Sequence, residues 1–269
     1  MPIELTGGEA PPKEATNKIM ELVSGLAGVG KSGHALSFPS PYWYYNLDRA
    51  IGHLTKQLPT THKLVYEAVT MDVDATSPLV AQSYLTKFDQ LVKAAVSSGS
   101  DGTFVVDGWD IFWDLVKIAR VKNLDSDLPK EYAAANEYMN NHLRRLGLSR
   151  LNVVFVTMAS KVWTGAKTET DRMRADGFKH KDRWLTHEIY LFSPENMAEP
   201  NIVPAQKELG QSHLAYISRS KLNEGLIGRV VPSLTFELLY KMTFGAAYPE
   251  PERLWSPAKA PAAIEKAGG

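Results

Sequence analysis

The 269-residue chain contains no cysteine. That excludes disulfide bridges, thiolate nucleophiles and Cys-ligated zinc. It carries no excess of either charge, since 30 Lys and Arg balance 30 Asp and Glu. A globally basic footprint for nucleic acid is therefore missing, and any such surface has to be local. No stretch approaches the roughly 18 consecutive apolar residues of a membrane helix, and the first residues lack the apolar centre of a secretion signal. A soluble, cytoplasmic protein with no membrane partner is expected. No segment repeats another, and the length suffices for one large α/β domain or two small ones.

What is present is concentrated between Lys18 and Leu36, KIMELVSGLAGVGKSGHAL. Gly25, Gly30, Lys31 and Ser32 satisfy the pattern G-x-x-x-x-G-K-[ST], with a further Gly28 inside it. Small residues let a backbone turn its N–H groups inward around a polyphosphate, so Gly25, Gly28, Val29, Gly30 and Gly33 are expected to form a cradle. Lys31 supplies a point charge to the β- and γ-phosphates, and the Ser32 hydroxyl is a hard ligand for Mg²⁺. A helix starting here adds its positive end. Ile19 to Val23 reads as the strand before the loop, and His34-Ala35-Leu36 can continue the helix after it. ATP with Mg²⁺ is the expected ligand.

Downstream, strands and helices alternate. Tyr42 to Leu47 is an aromatic strand ending at Asp48, Lys63 to Val69 a weaker one, and Pro78 to Ser97 a helix with one apolar face. Thr103-Phe104-Val105-Val106-Asp107-Gly108 is an apolar strand ending in a carboxylate, the second half of a phosphate-loop site, where Asp107 joins Ser32 in holding Mg²⁺. Trp109, Phe112 and Trp113 read as core. A second helix spans Glu131 to Leu148, and Asn152 to Met158 is a further buried strand. From Ala159 to His187 the chain turns polar, with seven Lys or Arg between Lys161 and Arg183 against four acidic residues, and with Trp163, Phe178 and Trp184 interspersed. Short strands at Leu214 to Ser218 and Arg229 to Val231 and a last apolar element over Thr235 to Met242 close the pattern. The expectation is a mostly parallel sheet flanked by helices over residues 17–244, with a flexible arm over 1–16 and an Ala/Pro-rich, disordered tail over 245–269.

The order of phosphate loop, YYNLD, VVDGWD, VVFVTMAS and YISRSKLNEGLIGRVVPSLTFELL resembles the RecA-like recombination ATPases of tailed bacteriophages. The most telling part is the last stretch, with a basic-x-basic strand end, a Gly-Arg turn, and a Pro with an aromatic a few residues on. The resemblance implies a RecA-like phosphate-loop core that hydrolyses ATP on single-stranded DNA during recombination or annealing, as a homo-oligomeric filament or ring. It implies that Asp48, where the family commonly has Glu, polarises the attacking water. Thr157 or Ser160 would stand where the family places a polar γ-phosphate sensor, and Arg219 and Lys221 match a basic pair that reaches a neighbouring subunit's nucleotide. The basic, aromatic-dotted stretch would be a mobile DNA-binding loop, with Lys179, Lys181 and Arg183 on phosphates and the aromatics on bases. The alternatives are a nucleotide-dependent packaging motor or partner-binding switch and, less well matched, a small-molecule kinase, for which the sequence shows no acceptor-site or lid motif.

Overall fold

A computed structural model describes residues 17–47, 64–68, 77–125, 128–164, 168–193 and 213–246. The expected arm, Asp48 and the expected tail from residue 247 onward lie outside them. Nine strands and five α-helices are described: β1 (Met20–Gly25), α1 (Lys31–Ala35), β2 (Tyr42–Asn46), β3 (Leu64–Ala68), α2 (Pro78–Ser97), β4 (Thr103–Asp107), α3 (Trp109–Arg120), α4 (Ala133–Leu148), β5 (Asn152–Thr164), β6 (Thr168–Ala175), β7 (His187–Phe192), β8 (Leu214–Ser220), β9 (Val230–Pro232) and α5 (Phe236–Phe244). No described helix is long and apolar enough to cross a membrane.

The sheet runs β3-β2-β4-β5-β1-β7-β8-β9, with β6 paired to the outer part of β5. Pairings from β3 through to β7 are parallel, and β8, β9 and β6 join antiparallel. The chain is thus α/β, with a mixed, mostly parallel sheet flanked by helices. Central strands of such a sheet are buried on both faces and read as continuous apolar runs, as β2 and β4 do. Strand alternation sends Trp43, Tyr45, Phe104, Val106 and Phe155 to the face covered by α2, α3 and α4. Tyr42, Tyr44, Val105, Val154 and Val156 go to the opposite face, with Phe236 and Leu239 of α5. Phe88 of α2 anchors the first layer, its ring 4.2 Å from Phe112 and 5.1 Å from Tyr45.

The helix after the phosphate loop closes at Ala35, because the chain must turn ahead of Pro39; Ser37 N–H donates to His34 O, and the buried Tyr42 hydroxyl donates to the Leu36 and Phe38 carbonyls. Its dipole is correspondingly short. The stretch from Ala159, expected as a loop, is ordered: β5 continues to Thr164, β6 returns along it, and Lys179–Arg183 forms a 3₁₀ turn. The strand TETDRMRA carries no regular apolar alternation, so the pattern that announces a strand is missing from it.

Candidate phosphate-binding site

At the carboxyl end of β1 the loop folds back against its neighbour strand. Gly25 is obligatory there, since a Cβ would stand 2.3 Å from the Leu191 carbonyl oxygen. Gly30, at φ 89°, takes the left-handed conformation at the start of α1. Lys31, 7% exposed, curls its amine over the loop, with Nζ donating to the carbonyls of Gly25 at 2.9 Å and Leu26 at 2.7 Å. Met158 Sδ lies 3.5 Å from the same nitrogen.

β4 brings Asp107 to this point, fully buried. Its Oδ2 accepts from Ser32 Oγ at 2.8 Å and from Tyr44 Oη at 2.6 Å. The two residues named from the sequence as metal ligands therefore touch, although 75 residues separate them. Tyr44 escaped the sequence reading because a tyrosine among YWYYN is indistinguishable from core. The clue is its register: it is two residues before Asn46, which pairs with Asp107, so both point to one face. Strand β2 leaves the sheet beside Asp107, where Leu47 N–H donates to the Asp107 carbonyl at 2.8 Å.

β5 lies between β1 and β4, and its alternation decides what faces the loop. Thr157 is buried and engaged on the opposite face, where its hydroxyl lies 3.3 Å from Asp110 Oδ1 and 3.2 Å from the Asp176 carbonyl. Ser160 donates to Asp176 Oδ1 at 2.6 Å. Burial, with the neighbouring Asp176 charge, holds the Asp110 carboxyl above the ordinary carboxylate range despite the local hydrogen bonds it accepts. On the lysine side it is Met158 that reaches the site.

Glu21 and His34 form a buried pair at 2.8 Å beneath the loop, joining β1 to α1. His34 Nδ1 lies 2.9 Å from the Leu234 carbonyl. Burial opposes a charge on His34, but Glu21's charge and hydrogen bond, with that carbonyl, outweigh it and raise the imidazole above its ordinary value. A Glu inside a strand otherwise apolar on that face, followed by a His on the loop helix, was the signal to look for.

Arg219 and Lys221 sit elsewhere. Arg219 pairs with Glu188, and Glu188 with Leu22, three residues before Gly25, roughly 10 Å back from the loop along the strands. Arg219 bridges Asp182 at 2.9 Å, and Lys221 Nζ donates to the Asp182 and Arg183 carbonyls. Neither is brought to its own chain's phosphate loop. A cleft of about 1010 Å³ opens beside Arg219, walled by Asp110, Trp113, Asp176, Tyr190 and Tyr216.

The expected DNA-facing set divides. Lys181 is buried, at 7% exposure, and Phe178 is 1% exposed, with its ring 5.0 Å from Trp113. Trp184 packs on Gly147 of α4, 3.0 Å from where a Cβ would be. These aromatics complete the core instead of offering faces to bases. Arg183 remains exposed, its guanidinium 5.5 Å from the Trp184 ring. The side chains of Trp163 and Lys179 lie outside the described residues. No protein-family model matches this chain, and no curated protein sequence matches it.

Proposed function

We propose that the chain binds ATP with Mg²⁺ and hydrolyses it, as a RecA-like ATPase acting on single-stranded DNA in recombination or annealing. The observation that carries the nucleotide part is the 2.8 Å contact of Ser32 Oγ with Asp107 Oδ2 beside the caged Lys31 amine. Two hard oxygens so placed fit Mg²⁺, which takes one or two protein ligands and fills its sphere with water and phosphate oxygens. Bound there, Mg²⁺ neutralises charge on the β- and γ-phosphate oxygens.

The chain's own groups supply the rest. Lys31 exchanges two carbonyl contacts for charge-assisted bonds to phosphate. Tyr44 holds the Asp107 carboxylate in orientation. The proposed role of Asp48 in polarising the water rests on the resemblance alone, since Asp48 lies outside the described residues. The DNA part rests on the RecA resemblance, with Arg174 and Arg183 as exposed cations among the described side chains between β5 and β7.

ATP binding and turnover, with and without single-stranded DNA, test the reading. Lys31→Ala should abolish binding while the fold survives, and Asp107→Asn should spare binding more than turnover. Wild-type affinity in Lys31→Ala would overturn the nucleotide reading. Stimulation by double-stranded DNA alone would favour a packaging motor, and indifference to DNA a partner-binding switch.

A further inference from the structure

One side chain given no role above lies directly against the phosphate loop. The three atoms nearest to a Cβ built on Gly30 all belong to His213, with Nδ1 at 3.6 Å and Cε1 and Cγ at 3.8 Å. Gly30 immediately precedes Lys31, so the imidazole stands over the loop's last glycine at van der Waals distance. His213 leads into β8, and its carbonyl accepts from Ser233 N–H at 3.3 Å. The next residue, Leu234, supplies the carbonyl that meets His34 of α1. The ring is thereby carried by backbone tied to the loop helix.

The strand order gives this position its meaning. From β1, the metal oxygens are reached through β5 and then β4, on one side of the loop. His213 is reached through β7 and β8, on the other. With the terminal phosphates at Lys31, Ser32 and Asp107, the side of the loop away from β4, where His213 stands, is left for the nucleoside end.

We propose that His213 contacts the nucleoside half of the bound nucleotide, its sugar or base, an assignment that rests on the nucleotide reading above. Burial and the charge of the nearby His34 hold the His213 pKa below its ordinary value. A neutral imidazole presents a flat, uncharged ring. That suits contact with a base or sugar better than with a phosphate.

The test compares ATP, ADP and inorganic tripolyphosphate, each with Mg²⁺, binding to the full chain by titration calorimetry. His213→Ala should weaken ATP and ADP by about tenfold, the scale of a single base–ring contact, and leave tripolyphosphate within about twofold. Tripolyphosphate binding doubles as a check that the loop is folded. Should the Ala variant fail to fold, His213→Gln serves, and the same selective loss is expected. Equal loss for tripolyphosphate overturns the proposal, because His213 then acts on the loop or the phosphates. Unchanged ATP affinity overturns it too. If the wild-type chain binds neither ATP nor tripolyphosphate, the nucleotide reading falls and takes this assignment with it. Wild-type binding of tripolyphosphate as tight as ATP overturns the nucleoside contact alone.

Discussion

Ser32 and Tyr44 donate to the same oxygen, Oδ2 of Asp107, at 2.8 and 2.6 Å. One hydroxyl comes from the loop helix and the other from the strand next to β4, so the carboxylate is held between two elements. Partners of this kind commonly set metal affinity by factors of about 10 to 100. Tyr44→Phe should therefore raise the Mg²⁺ concentration for half-maximal ATPase activity about tenfold, with KM for ATP measured at saturating Mg²⁺ little changed. Loss of the phenol hydrogen bond should cost about 1 kcal/mol in stability. An unchanged Mg²⁺ midpoint would reduce Tyr44 to packing.

The buried Glu21–His34 pair makes stability depend on pH in a defined direction. His34 is raised in the folded chain above the unfolded value of about 6.5. Its contribution is full below that pH and is lost as pH climbs through the folded value. His187 is lowered by burial despite Glu21, so its contribution runs the other way and is lost as pH falls below about 6.5. Denaturant midpoints of the wild type should fall from pH 6.5 toward 8.5. His34→Gln should flatten that limb while keeping the acid one. Parallel profiles for both proteins would place the titration elsewhere.

Much of the parallel sheet was legible because its strands are continuous apolar runs and its loop has fixed spacing. Pro78 to Ser97 folds as one helix, and Asp107 meets Ser32. What escaped was information carried by register. The face that Thr157 occupies depends on where β5 enters the sheet, and YWYYN does not announce which tyrosine will face Asp107. The hairpin of β5 and β6 was illegible for a different reason. The sequence of β6 has no regular hydrophobic period to mark it, and its pairing with the outer part of β5 gives it form. A count of positive charges likewise cannot tell that Lys181 is buried.

Charge in the segment before β7 should act on DNA unevenly. Lys181 is buried and its carbonyl accepts from Trp184 N–H at 2.9 Å, so Lys181→Ala should lower the melting temperature and leave the salt dependence of DNA binding alone. Replacing Arg174 and Arg183 together with Gln should reduce the log–log salt slope for single-stranded DNA by about 1.4, at roughly 0.7 per phosphate contact. An unaltered slope in the double variant would remove this surface from the DNA site.

Arg219 and Lys221 lie back along the sheet from their own loop, so on the proposed RecA-like reading any catalytic part is played at a neighbouring subunit. A cation supplied in trans is worth a factor of about 10³ to 10⁵ in nucleotide hydrolases. The variant lacking both should be inactive, and so should Lys31→Ala. Mixing them should restore part of the activity, because subunits of the first still bind ATP and receive cations from the second. Wild-type turnover by the double variant alone would leave the pair as a structural tie to Asp182, and mixed oligomers that stay inactive would argue the same.

β5 is a single strand of 13 residues. It begins between the strands carrying Lys31's loop and Asp107, and it ends in the hairpin with β6. Sliding it by one residue would exchange its two faces throughout and drive Phe155 out of the core. Longitudinal displacement is therefore strongly disfavoured, so a single register sets both where Met158 meets the Lys31 amine and where the hairpin with β6 leaves the sheet.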